Sequence, residues 1–97
     1  MTGHDSVLYV ALLACETEED VKALLDDLCT YQEKEQMIQR AYAAKMLIEG
    51  KTYADIIAET DISSATLSRV SRSLRHGSGG YEKFIPRESG TAEHKER

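Results

Sequence analysis

Apolar residues recur along this chain at the spacing of buried helix faces. One stripe follows the i, i+3, i+4, i+7 rule from residue 21 to residue 28, and a second stripe runs from residue 37 to residue 48. Their members are Val21, Leu24, Leu25 and Leu28, and then Met37, Ala41, Ala44 and Ile48. No segment shows the clean alternation of apolar and polar residues that marks a half-buried strand. The pattern predicts an all-α fold.

Capping residues separate the predicted helices. Thr17 stands before three acidic residues, which complement the positive end of a helix dipole. Thr30 and Glu33 match a capping box at the start of the longer helix, and Gly50 stands where a C′ glycine ends it. A last short helix is predicted near residues 81–85.

The first helix is expected to lie between two subunits. Val7 to Cys15 is a run of nine residues that is apolar on every side of a helix, and such a helix is buried all round. A chain of 97 residues alone buries a modest share of its surface, so the run favours a homodimer over burial inside a monomer. It is too short for a membrane helix, which needs about 20 residues. It also lacks the basic flank of a signal peptide.

These patterns predict one helical domain over residues 7–86. Residues 1–6 are expected to form a flexible N-terminus. Residues 87–97 have no apolar periodicity and are expected to form a disordered C-terminal tail.

Residues 52–75 predict a helix-turn-helix. Thr52 opens a short helix, a turn falls near Asp61, and Ser63 or Ser64 caps the second helix. The turn needs a residue with positive φ, a conformation that Asp tolerates better than most side chains. The crossing angle of the two helices requires one shared apolar core, whose predicted members are Ile56, Ile62, Leu67 and Val70.

The charge of the chain is distributed unevenly. The net charge of −5 counts against nucleic-acid binding only if charge is spread evenly. Residues 1–62 carry 13 acidic and five basic side chains, whereas residues 63–87 carry five basic side chains and one acidic side chain. We interpret the basic segment as an electrostatic footprint for DNA. The alternative is chance clustering of charges on a solvated helix face.

The second helix of the motif carries side chains suited to a DNA major groove. Its first turn is small and rich in hydroxyls, which can bond base edges or phosphates, and arginine can pair with guanine or clamp phosphate. The candidate DNA-binding residues are Thr52, Ser63, Ser64, Ala65, Thr66, Ser68, Arg69 and Arg72. The alternative is an ordinary soluble helix surface, for which residues of low helix propensity are an odd choice.

The motif resembles the tryptophan-repressor superfamily, and more closely its stand-alone group called YerC/YecD. The resemblance covers about residues 7–86. Its segments are Asp26-Asp27-Leu28-Cys29-Thr30, Gln39-Arg40, Gly50-Lys51-Thr52-Tyr53, Ser64-Ala65-Thr66-Leu67-Ser68-Arg69-Val70, and Gly77 followed by Tyr81. It implies an intertwined all-α homodimer that presents one recognition helix per subunit to double-stranded DNA. It thereby implies a bacterial transcriptional regulator in the role of a repressor.

The resemblance does not extend to the co-repressor. Arg69 matches an arginine that belongs to the tryptophan pocket in the family. The next residue is Gly there and Val70 here, and a branched side chain would fill the space that the indole needs. Arg40 lies near the position of the second pocket arginine. We therefore expect no cofactor and no tryptophan co-repressor, and the sequence names no other small-molecule effector. Asp61 stands in place of the turn glycine of the family.

Other classes of function are weaker. The enzyme candidates would be two cysteines, expected to be buried structural thiols, and three scattered histidines; they are Cys15, Cys29, His4, His76 and His94. They form no catalytic triad and have no paired spacing for zinc, so neither an enzyme nor a metal site is expected. The low cysteine content suits a reducing cytoplasm. The alternative function is a helical dimeric protein-interaction module that has lost DNA binding.

Overall fold

The computed structural model describes residues 3–86. Its helices are α1 (His4–Ala14), α2 (Glu18–Leu28), α3 (Tyr31–Ile48), α4 (Tyr53–Thr60), α5 (Ser64–His76) and α6 (Gly80–Phe84). No strand occurs within these residues, so the all-α prediction is confirmed. None of the helices combines the length and the apolar composition needed to cross a membrane. The predicted tail over 87–97 lies outside the described residues.

The chain forms two compact units, with the boundary after Glu35. The first unit comprises α1, α2 and the beginning of α3, and the second comprises the rest of α3 and the later helices. The single domain over residues 7–86 stays a prediction. Helix α1 begins at His4, within the segment 1–6 that is expected to be flexible, and residues 1 and 2 lie outside the described residues, so the flexible N-terminus also stays a prediction. Asp5 lies in the first turn of α1, where a carboxylate is favoured by the helix dipole.

Side-chain caps begin α2 and α3, as the sequence predicts, whereas α1 begins after Gly3 without a side-chain cap. The hydroxyl of Thr17 accepts a hydrogen bond from the backbone N–H of Asp20 at 3.0 Å. The carboxylate of Asp20 in turn accepts the backbone N–H of Glu16 at 2.9 Å, and this hydrogen bond lowers the pKa of Asp20. Thr30 and Glu33 make both bonds of the predicted capping box, at 3.0 and 2.8 Å.

Gly50 ends α3 as expected. Its φ of 92° is in the left-handed region that a glycine adopts without strain. The N–H of Gly50 donates to the carbonyl of Leu47, and the N–H of Lys51 donates to the carbonyl of Met46, both at 3.0 Å. This pair of bonds is a Schellman motif, which supplies partners for carbonyls at the end of the helix.

The core of the second unit confirms the predicted contact between the helices of the motif. Its members are Ala43, Ala44, Met46, Ile56, Ile62, Leu67 and Val70. The predicted stripe on α3 is only partly right: Ala44 is buried, but Met37 and Ile48 are half-buried. The buried face of α3 also holds Ala43 and Met46, which the stripe did not include.

Candidate nucleic-acid interface

A helix-turn-helix is formed by α4, residues 61–63 and α5, as the sequence predicts. Thr52 begins α4 with a full capping box, in which its hydroxyl accepts the N–H of Asp55 at 3.1 Å. Asp61 ends α4 in the left-handed conformation, with a φ of 63°. Ser63 then caps α5 by accepting the N–H of Thr66 at 3.1 Å. The caps and the left-handed turn fix the beginning and the end of α4 and the beginning of α5.

Helix α5 divides its residues among three faces. Leu67, Val70 and Ser71 lie on the buried face. Thr66, Ser73 and Arg69 line a cavity at the side of the helix. At 100° per residue, the face opposite the buried one carries residues 65, 68, 69 and 72, all of them exposed. A surface of this kind can approach DNA without disturbing the core.

The cavity beside α5 has a volume of about 590 Å³. Its lining comes from α3, the turn, α5 and α6, and consists of Gln36, Gln39, Arg40, Asp61, Ser63, Thr66, Arg69, Val70, Ser73 and Tyr81. Eight of these ten side chains are polar, and the two arginines share the lining with one carboxylate. The cavity can therefore accept hydrogen-bonding groups or an anion more readily than a large apolar ring.

Three of the predicted DNA-binding residues also hold the motif together. The hydroxyls of Thr52 and Ser63 are helix caps, and Ser63 donates a further hydrogen bond to the hydroxyl of Thr66 at 3.0 Å. Thr66 is half-buried at the cavity wall. Because these hydroxyls have partners within the chain, substituting them would change the fold of the motif as well as its surface.

The remaining candidates lie on the surface of α5. Ser64, Ala65, Ser68, Arg69 and Arg72 are exposed, and Arg69 also lines the cavity. Thr52 lies at the beginning of α4 rather than on α5. The structure thus groups the α5 candidates on one helix, whereas the contact of any of them with DNA stays a prediction.

Sequence reasoning left out four residues of the cavity lining. Gln36 and Gln39 come from α3, Ser73 comes from α5, and Tyr81 comes from α6. The sequence did place Arg40 near the tryptophan pocket of the family. A polar residue on a helix otherwise has no sequence pattern that predicts its place in a cavity wall. Among these residues, Gln39 connects α3 to the helix-turn-helix, because its side-chain N–H donates to the backbone carbonyl of Thr60 at 3.2 Å.

Charge differs between the two units. Residues 3–35 carry nine acidic and two basic side chains, whereas residues 36–86 carry five acidic and seven basic side chains. The second unit, which contains the helix-turn-helix, is therefore the basic one. This sign suits a phosphate backbone, and the first unit would repel it.

Four of the residues considered for catalysis lie at the ends of α1, α2 and α5. Cys15 and Cys29 are free and half-buried, His4 and His76 are exposed, and His94 lies outside the described residues. Over residues 3–86 no group of three His, Cys, Asp or Glu side chains is arranged to hold a metal ion.

A helix-turn-helix with a basic second helix, on a small all-α chain, defines the class of helical DNA-binding regulators. The chain belongs to the Trp repressor protein family, whose family model matches residues 5–89. This family is regulatory and not enzymatic. The chain is 41% identical over 80 residues to the uncharacterized protein YerC of Bacillus subtilis (strain 168), and the match covers 82% of this chain and 77% of YerC.

Solved structures agree with this membership. A protein of Staphylococcus aureus, named as a candidate Trp repressor, superposes with a TM-score of 0.80 at 40% identity, over 84% of this chain and 82% of its own. A TrpR-like protein of Eubacterium eligens superposes with a TM-score of 0.77 at 40% identity, over 80% of each chain. The Trp repressor family and the all-α fold predicted from the sequence are confirmed, while the homodimer stays a prediction.

Proposed function

We propose that this protein is a sequence-specific transcriptional regulator, acting as a repressor, that binds double-stranded DNA as a homodimer through α5. The observation that carries the proposal is the division of α5 into faces. Its buried face completes the core of the motif, while Ser68, Arg69 and Arg72 lie on the exposed side. Arginine at such a position can pair with guanine in the major groove or bind phosphate.

Selection of bound fragments from random duplex DNA tests this function. A dimer with two copies of α5 requires a two-fold symmetric site whose half-sites lie about one helical turn apart. We expect the recovered fragments to share such a site. Recovery of fragments without any shared sequence, or of none above background, would contradict a sequence-specific regulator.

The homodimer is supported by α1. It has no buried residue in the single chain, and its large apolar side chains are 38–84% exposed. An apolar surface that continues around a helix marks an interface. In this proposal, a second copy of the chain covers the apolar surface of α1. A second copy also supplies the second recognition helix that a two-fold symmetric DNA site requires. Leu12→Lys would place a charge in the shared core and dissociate or unfold the dimer.

We also propose that DNA binding does not depend on tryptophan. The cavity beside α5 retains two arginines that could hold a carboxylate, but its lining is mostly polar. Val70 is 1% exposed and belongs to the apolar core, so its side chain occupies space that a glycine would leave open. Asp61 adds a negative charge to the same lining. An indole ring requires apolar walls, and the mostly polar lining of this cavity does not provide them.

Calorimetry of the purified protein with L-tryptophan tests this independence. We expect no binding in the micromolar range, and DNA affinity that is the same with and without the amino acid. A micromolar dissociation constant would contradict it. DNA affinity that rises on adding tryptophan would do the same.

A further inference from the structure

A hydrogen bond from α3 reaches the turn of the helix-turn-helix. The side-chain N–H of Gln39 donates to the backbone carbonyl of Thr60 at 3.2 Å, in a half-buried position. One helical turn further along α3, the hydroxyl of Tyr42 contacts the carboxylate of Glu59 at 3.2 Å. Both contacts join α3 to the last turn of α4.

The carbonyl of Thr60 needs a partner from outside its helix. In a continuing helix it would accept the N–H of residue 64, but Asp61 adopts a left-handed conformation and the chain turns away. A half-buried carbonyl without a partner is costly. Gln39 supplies a donor from α3, and the long amide side chain is what allows α3 to reach it.

Thr60 also fixes the residues that follow it. Its hydroxyl donates to the carbonyl of Ile56 at 2.7 Å and accepts the N–H of Ile62 at 3.2 Å. Ile62 is buried in the core, and Ser63, the cap of α5, comes next. A displacement at Thr60 is therefore passed within three residues to the beginning of α5.

We propose that Gln39 is a positioning residue that holds the helix-turn-helix in its DNA-binding orientation. We call the hydrogen bonds of Gln39 and Thr60 the polar clamp. The clamp joins two walls of the cavity, since Gln39 lines one side and Asp61 and Ser63 line another. The motif is thus held from within the chain and needs no ligand between these walls. This inference rests on the proposed DNA binding by α5.

The substitution Gln39→Met tests the clamp. Methionine keeps the length of the side chain and removes its hydrogen-bond donor. The matched control is Gln36→Met, because Gln36 lines the same cavity one turn earlier on α3. Each variant is titrated with a DNA fragment recovered by selection, and hydrogen exchange is followed at the backbone N–H of Ile62.

We expect Gln39→Met to weaken DNA binding about three- to tenfold, the size of one hydrogen bond. The dependence of affinity on salt should be unchanged, because the phosphate contacts remain the same in number. Exchange at Ile62 should become faster, while Gln36→Met should match the wild type in all three measurements. A Gln39→Met variant with a lower melting temperature but wild-type DNA affinity in the folded chain would show a role in stability alone and would overturn the positioning role.

Two further outcomes separate the clamp from the proposed function. A Gln39→Met variant with wild-type affinity and wild-type exchange at Ile62 would overturn the clamp and leave DNA binding by α5 intact. A variant that is unfolded would also overturn it, since Gln39 would then be required for the fold itself. If the wild type binds no DNA, the proposed function fails, and faster exchange at Ile62 would restrict the clamp to a role in folding.

Discussion

Asp61 is the residue on which the helix-turn-helix changes direction, and its conformation could be predicted from the sequence. Asp and Asn are the residues other than Gly that adopt positive φ most readily, because their short polar side chains bond locally. The turn position therefore predicts a left-handed residue from the sequence alone. The observed φ of 63° confirms this expectation.

Substituting Asp61 separates the backbone requirement from the side chain. We expect Asp61→Ala to lower the free energy of unfolding by about 1 kcal/mol, because alanine is strained at positive φ. Asp61→Gly, which relieves that strain, should be more stable than Asp61→Ala. Urea unfolding of both variants at one pH provides the comparison. An alanine variant at least as stable as the glycine variant would contradict the importance of the left-handed turn.

At Leu67 and Ser68, a core residue and a residue of the candidate interface are neighbours in the sequence. It is fully buried, whereas Ser68 beside it is exposed. We expect Leu67→Ala to lower the free energy of unfolding by about 2–5 kcal/mol, through lost burial and the cavity that it leaves. Ser68→Ala should change stability by less than about 0.5 kcal/mol. Thermal or urea unfolding checks both values, and similar stabilities of the two variants would show that α5 is packed on a different face.

At the scale of elements, the beginnings of helices were more predictable than the faces they bury. A cap depends on residues three apart, so Thr17, Thr30 and Thr52 could be assigned from the sequence alone. The buried face of α3 could not, because Ala43 and Ala44 are apolar and also favour helices wherever they point. Only packing against α4 and α5 determines that Ala43 and Ala44 enter the core while Ala41 stays half-buried.

The beginning of α2 should respond to pH through Asp20. The pKa of Asp20 is lowered chiefly because its carboxylate accepts the N–H of Glu16. A lowered pKa in the folded state means that Asp20 stabilises the fold above its unfolded pKa. This contribution is lost as pH falls through the folded pKa.

Asp20→Asn tests this dependence, since asparagine keeps an oxygen acceptor but cannot titrate. The urea midpoint of each protein is measured at pH 6 and at pH 3. We expect the wild type to lose more of its midpoint on acidification than the variant does. Equal losses would show that the contact between Asp20 and Glu16 does not contribute to stability in solution.

The part of the candidate interface that lies on α5 alone could be predicted from the sequence. Residues 63–72 follow each other along the chain, so spacing alone separates Leu67 and Val70 from Ser68, Arg69 and Arg72. The cavity depends on three other segments, and neither Gln39 nor Tyr81 carries a local signal for it. Its polar wall could be identified only from the folded chain.

At the scale of the whole molecule, binding to a two-fold symmetric DNA site requires a dimer, because each chain supplies one recognition helix. Leu13 is 84% exposed in the single chain, so Leu13→Lys should cost a folded monomer little. In a dimer that buries α1, the same charge would lie in an apolar interface. We expect the wild type to sediment as a dimer and the variant as a folded monomer, as judged by its helical circular dichroism. A wild type that sediments as a monomer at micromolar concentration would contradict the dimer.

The distribution of charge also belongs to this scale. The acidic residues 3–35 and the basic residues 36–86 have opposite effects near a phosphate backbone. Binding should therefore depend strongly on salt and on the few arginines of α5. If α5 does not bind DNA, the same fold would serve as a protein-interaction module, and binding to DNA would be absent even at low salt.

The salt dependence of DNA affinity for Arg72→Ala, for the double variant Arg69→Ala/Arg72→Ala and for Lys22→Ala tests the central claim most directly. Lys22 is the control, a basic residue on α2 in the acidic unit. We expect Arg72→Ala to weaken binding and to lower the slope of log affinity against log salt by about one unit if it contacts phosphate. If Arg72 reads a base instead, discrimination at one position should fall by about 1–3 kcal/mol. The double variant should lose most specific binding, and Lys22→Ala should match the wild type. A double variant with wild-type affinity would contradict DNA recognition by α5.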